Sequence, residues 1–242
     1  MNRAVRLISP RRREVTLSDG SRHRYSSLIS TMPLPKLVGC IEGAPQAIRT
    51  AVDKLRNVSV RCVHLGVGRE NLTDKHWIYY PEDTIFHRIF VQGNASPYCN
   101  PPGGFGLTCE ITYSEHKPLP CDGAELIKLC INDCQRVGIV EPGDPVWAAV
   151  QCDLPYAYVV YDHARKGAVT VIREWLETLG IYLAGRYSEW EYYNSDHAFI
   201  AGRKAAETVL GLESALGLPS ALNPWETLQN DPKQTDVNTN PT

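Results

Sequence analysis

The sequence predicts an α/β protein, and three observations carry that reading. Short apolar or alternating runs of β type recur along the chain, at residues 4–8, 14–17, 25–30, 58–67, 76–80, 86–91, 105–113, 146–152, 157–161 and 181–184. Between them lie segments with apolar residues at helical spacing, at 45–56, 122–137, 164–179 and 196–210. The 43% hydrophobic and 21% charged composition over 242 residues suffices for a sizeable core. A net charge of -2 supplies no field that would recruit nucleic acid or anionic lipid, and no apolar run reaches the length of a membrane span.

The elements follow in order. Residues 4–8 and 14–17 read as strands with Arg11, Arg12 and Arg13 at a solvated hairpin tip. Asp19-Gly20 is a turn signal, and 25–30 reads as a third strand. Ala47, Ile48, Ala51, Val52 and Leu55 make 45–56 a helix. The segment 93–106, with three prolines and four glycines, is a loop. Its PPGGFG lacks the lysine of a phosphate-binding loop and the spacing of a dinucleotide fingerprint, and reads as a turn. Asp122 with Glu125 opens a helix at 122–137 in the manner of a capping box, and Val169, Ile172, Leu176 and Leu179 form one stripe of the helix at 164–179. Beyond Leu218 apolar periodicity fades into Pro, Asn and Thr, as expected of a disordered tail over 219–242.

The eight cysteines are scattered with no CxxC pair, and Cys130 and Cys134 share a helix face, so buried reduced thiols are expected rather than a metal site. The N-terminus is too polar for a secretory signal. The expected location is cytoplasmic, which leaves the sequons at Asn57, Asn71 and Asn94 unmodified.

The most informative stretch is GIYLAGRYSEWEYYNSDHAFIAGRKAAETVLG, residues 180–211. A strand delivers a short loop to a helix N-terminus, where first-turn N–H groups lack partners and the helix dipole favours an anion. Arg186 strengthens that field, Asn194, Ser195 and Asp196 are natural caps, and Gly185 lets a bulky group approach the backbone. Two readings stay open on the residues alone: a site for a phosphorylated, ring-bearing ligand, or a capped helix with Trp190, Tyr192 and Tyr193 as core aromatics.

The same stretch resembles the C-terminal flavin-binding motif of the amine-oxidase superfamily, in the branch of UDP-galactopyranose mutases and protoporphyrinogen-oxidase-like proteins, with Gly185, Arg186, Tyr192, Asn194 and Asp196 on the motif. SSLISTMPLPKLV (26–38) is similar to the strand and Thr-x-Pro turn that closes the flavin domain. IFHRIFV (85–91) resembles the substrate-domain strand that carries a diphosphate-binding arginine, here Arg88; LPYAYVVYDHARKGAVTVIREWL (154–176) resembles the segment with a substrate-side tyrosine, here Tyr158. Val159 replaces a usual proline, Ser195 a frequent methionine, and QGNASP replaces the continuation of the Arg88 strand.

The resemblance implies an α+β substrate domain (39–179) inserted in a partial FAD/NAD(P)-binding Rossmann-like domain made of 1–38 and 180–218. It implies FAD contacts at Thr31, Gly185, Arg186, Tyr192, Asn194, Ser195 and Asp196, and substrate contacts at Arg88, Tyr158 and Tyr192. No GxGxxG follows a strand near the start, so FAD binding by this chain alone is expected to be weak or absent. The implied activity is the C-terminal part of an FAD-dependent oxidoreductase acting on a small molecule. The alternatives are a mutase acting on a nucleotide sugar, or a non-catalytic remnant or subunit whose partner polypeptide supplies the nucleotide-binding half. His87, beside Arg88, is expected to be a strand histidine without catalytic duty.

Overall fold

The computed structural model describes residues 2–81 and 83–211; the expected tail at 219–242 lies outside them. Among the described residues, three sheets and five α-helices form an α/β fold. β1 (Val5–Ser9), β2 (Glu14–Leu17) and β3 (Arg22–Arg24) make an antiparallel meander, and the exposed Arg11–Arg13 turn closes its first hairpin. The strand expected at 25–30 divides. The Tyr25 N–H still bonds the Arg13 carbonyl of the meander, but β4 (Leu28–Ser30) leaves it. β4 pairs in parallel with β10 (Ile181–Leu183), with Leu28 opposite Ile181 and Ser30 opposite Leu183.

Helix α1 (Leu34–Cys40) is absent from the sequence reading, because seven residues behind Pro33, with Pro35 in the first turn, show too little periodicity. Proline costs nothing in a first helical turn, whose N–H groups have no helical partner. Leu34, Leu37 and Val38 then bury one face. They join α2 (Gln46–Val52), α4 (Arg165–Thr178) and β10 in one apolar core, with Ile48, Ala51, Ala168, Val169, Ile172, Leu176, Ile181 and Trp190. Residues 46–52 and 165–178, placed by the resemblance with the substrate domain, thus pack with the two chain ends.

The second core lies under a five-stranded antiparallel sheet ordered β6-β7-β8-β5-β9. Its strands are β5 (Asn57–Val67), β6 (Trp77–Tyr79), β7 (Arg88–Phe90), β8 (Phe105–Tyr113) and β9 (Val146–Val159). Helix α3 (Gly123–Arg136), capped by Asp122, covers one face through Leu126, Cys130 and Cys134, which meet Val63, Leu65, Leu107, Cys109 and Ile89. The two strands expected at 146–152 and 157–161 are one. β9 is an edge strand, where a proline is tolerated, and at a bulge beside Val58 the Pro155 carbonyl accepts from Asn57 Nδ2 and Ser59 Oγ at 2.7 and 2.8 Å. The glycine-rich turn has a packing reason. A Cβ on Gly104 would stand 2.6 Å from the Trp147 ring.

Candidate functional site

The sheet face opposite α3 is where chemistry-bearing side chains collect. In an antiparallel sheet directly opposed residues share a face, and one register row crosses all five strands: Cys152, Cys62, Glu110, Arg88 and Tyr79. The next row on that face is Val150, His64, Thr108, Phe90 and Trp77. Arg88 is the hub. Its guanidinium donates to Glu110 Oε2, to Tyr79 Oη at 3.1 Å and to Tyr158 Oη at 2.9 Å, and it lies 4.5 Å from the Trp77 ring centre. Burial works against its charge, but the bonds to Tyr79 and Glu110 outweigh that and hold the guanidinium above its ordinary value. Burial likewise raises the Tyr158 phenol, against the pull of Arg88. Arg88 is therefore a charge already paired with a carboxylate inside an aromatic wall.

From Tyr158 the site continues to the other end of the chain. The Tyr158 and Tyr192 rings stack at 5.8 Å between centres, and Arg186 lies 4.5 Å from Tyr192 and 5.3 Å from Tyr158. Arg186 donates to the Tyr193 and Ala157 carbonyls at 2.8 and 2.7 Å, so it ties the loop after β10 to β9. A second arginine holds the same loop from beneath. Arg165, 8% exposed, donates to the Trp190 carbonyl and pairs with Glu191. Tyr161 donates to Glu191 and accepts from the Tyr192 N–H at 2.8 Å; burial and Glu191 push its phenol up to about 12. Trp190, fully buried at φ +57°, is the residue this clamp keeps in a left-handed conformation.

The remaining sequence-predicted residues lie around this loop. Thr31 and Gly185 follow the carboxyl ends of the two parallel strands β4 and β10, which the Ala184 N–H to Ser30 C=O bond holds together. In open parallel sheets that end is where ligands bind. Asn194 precedes helix α5 (Ser195–Leu210) without a side-chain capping bond, and Ser195 and Asp196 are exposed in its first turn. The structure thus brings Arg88, Tyr158, Tyr192 and Arg186 into one array, with Thr31, Gly185, Asn194, Ser195 and Asp196 on the chain segments flanking it.

Sequence reasoning missed Glu110, Tyr79, Trp77, Cys62, Cys152, His64 and Thr108. Their common signal is register, which is set by pairing between strands distant in sequence. His64 Nδ1 lies 2.8 Å from Thr108 Oγ1, which in turn donates to Gln92. His87 alternates with Arg88 and so falls on the α3 side of the sheet; burial holds its imidazole below the ordinary value, and its Nδ1 has no hydrogen-bond partner among the described residues.

Comparison with known proteins gives the family and the fold. Residues 1–210 match the family described as flavin containing amine oxidoreductase. Among solved structures, a reduced UDP-galactopyranose mutase superposes with a TM-score of 0.79 at 28% identity, covering 86% of this chain and 46% of that one. A putative protoporphyrinogen oxidase from Exiguobacterium sp. 255-15 gives 0.64 at 14% identity, covering 82% and 44%. A fatty acid isomerase from P. acnes gives 0.57 at 13%, covering 88% and 48%. These last two share the fold alone, and the chain spans about half the length of each. With a match over nearly all its described residues, the chain belongs to the flavin-containing amine oxidoreductase family.

Proposed function

We propose that this chain supplies the substrate-side wall and one flavin-contact surface of an FAD-dependent oxidoreductase of amine-oxidase type. The observation that carries the reading is the continuous array from the ends of β4 and β10, through Arg186, Tyr192 and Tyr158, to Arg88. The residues present fit part of a flavin. Gly185 takes φ +89°, and apart from its own atoms and those of its two chain neighbours, no heavy atom of the described residues lies within 4 Å of where its Cβ would stand. Helical bonding in α5 begins at the Ala198 N–H, so the N–H groups of residues 195–197 are left for another acceptor. Thr31, Gly185, Arg186, Tyr192, Asn194, Ser195 and Asp196 would hold the cofactor; Arg88, Tyr158 and Tyr192 would face the substrate. When bound, FAD supplies the hydride-accepting group. The chain's own contribution is positioning, through stacked aromatics that exclude water and an Arg186 that orients the loop.

A nucleotide sugar as substrate is the second reading, favoured by the 28% identity to the mutase. A diphosphate would meet Arg88 with four of its five N–H donors committed to Glu110, Tyr79 and Tyr158, so a bidentate grip would have to displace one of them. That pairing is what tilts the proposal toward a substrate of lower charge. Titration with UDP separates the two: a dissociation constant in the micromolar range that Arg88→Met weakens at least tenfold would support the nucleotide sugar.

The cofactor experiment is direct. The purified chain should bind FAD weakly or not at all by its flavin absorption band, and tightly only with a polypeptide bearing a GxGxxG turn. Two charge-assisted hydrogen bonds lost, at roughly 1.5–3 kcal/mol each, weaken binding at least about a hundredfold. Stoichiometric flavin retained by the chain alone would overturn this division of labour. No recovery with the GxGxxG partner would favour a non-catalytic role.

A further inference from the structure

We propose that Cys62 and Cys152 form a peroxide-oxidisable dithiol on the floor of the Arg88 site, whose closure to a disulfide fastens the edge strand that carries Tyr158. The two residues are direct partners in the antiparallel register of β5 and β9. Opposed residues in such a ladder have Cα atoms about 4.5–5.5 Å apart, within the roughly 4.4–6.8 Å that a disulfide spans. Cys152 is exposed, and Cys62 is 8% exposed in a small apolar cluster with Val60, Ala157 and the Tyr158 ring. One thiol is therefore open to a solvent oxidant while its neighbour is sheltered beside it. Cys99, the other exposed thiol, sits in a 3-10 turn (Pro97–Cys99) outside every ladder. Cys109 and Cys134, 3.5 Å apart, are fully buried under the opposite face.

The chemistry balances with hydrogen peroxide as oxidant. The Cys152 sulfur attacks one peroxide oxygen, the O–O bond breaks, and water leaves, giving a sulfenic acid. The Cys62 sulfur then attacks the Cys152 sulfur, the S–O bond breaks, and the hydroxyl departs as a second water with the Cys62 proton. Two thiols lose two electrons to one molecule of hydrogen peroxide. Burial, and then the charges of Glu110 and Cys152, push the Cys62 thiol up to about 11, which keeps it protonated and leaves the first attack to the exposed Cys152. The bond would lie in the same register row as Glu110 and Arg88 and six residues from Tyr158, so it would restrain the part of β9 that meets the guanidinium.

The test uses the full chain as purified, without flavin, and so is independent of the cofactor reading. After mild hydrogen peroxide and alkylation, two of the eight thiols should be lost, and peptide mapping should join Cys62 to Cys152 in a bond that dithiothreitol reverses. Cys99→Ser should change nothing. Cys62→Ser should stop the reaction at a Cys152 sulfenic acid trapped by dimedone, a positive readout that does not depend on the disulfide. Hydrogen exchange over residues 153–159 should slow in the oxidised form. Oxidation of Cys152 to sulfinic acid with Cys62 still free, cross-linking to Cys99 instead, or unchanged exchange in a cross-linked sample would overturn the proposal.

Discussion

Arg88 and Glu110 face one another with side chains 16% and 11% exposed, so each compensates a charge that water would otherwise have to solvate. Removing one partner leaves the other uncompensated. We expect Arg88→Met to destabilise the chain by about 3 kcal/mol in urea unfolding, and the double change with Glu110→Leu to recover most of that, because paired removal strands no charge. Equal losses in the single and double variants would show that packing, not charge, dominates. His87 gives a pH prediction. Its folded value is depressed by burial, so below about pH 6.5 the unfolded chain takes up the proton first. Stability should be full above that pH and fall as pH drops toward the folded value, and His87→Gln should flatten that slope. Arg88, Tyr158 and Tyr192 could be singled out in the sequence because the stretches that carry them resemble motifs of the family. Glu110 and Cys62 were not, because what places them beside Arg88 is a strand register joining residues 22 and 48 positions apart, and pattern within a strand carries no register between strands.

At the scale of elements, β5, β8, α3 and α4 were legible almost to the residue, since each has a long apolar stripe. It failed where tertiary packing overrode local signals: α1 is too short to show a period, and β9 runs through a proline that only an edge position tolerates. The loop between β10 and α5 depends on α4, the helix just before β10, through Arg165. Arg165→Met would leave the Trp190 carbonyl and Glu191 without their buried donor. We expect a loss of about 3 kcal/mol and a weaker near-ultraviolet dichroism from Trp190. An unchanged spectrum would mean that the loop holds its form without the clamp.

Across the described residues, apolar side chains are exposed on both β4 and α5. Phe199 of α5 is 77% exposed and Ile29 of β4 is 39% exposed, and among the described residues β4 and β10 form a parallel sheet of two strands. Parallel sheets are ordinarily covered on both faces, and open strand edges and apolar patches promote association. The isolated chain should therefore self-associate with rising concentration in sedimentation velocity, and Ile29→Lys with Phe199→Lys should shift it toward monomer. A monomer at every concentration would show that this surface is inert. The 14-residue strand β9 has a different bearing. Its first half, at Val146 and Ala149, packs into the core under the sheet, and its second half, at Tyr156 and Val159, into the core of α1, α2 and α4. It is a beam built into two walls: neither can give way without loading the other, so heat or denaturant should melt both in a single cooperative event.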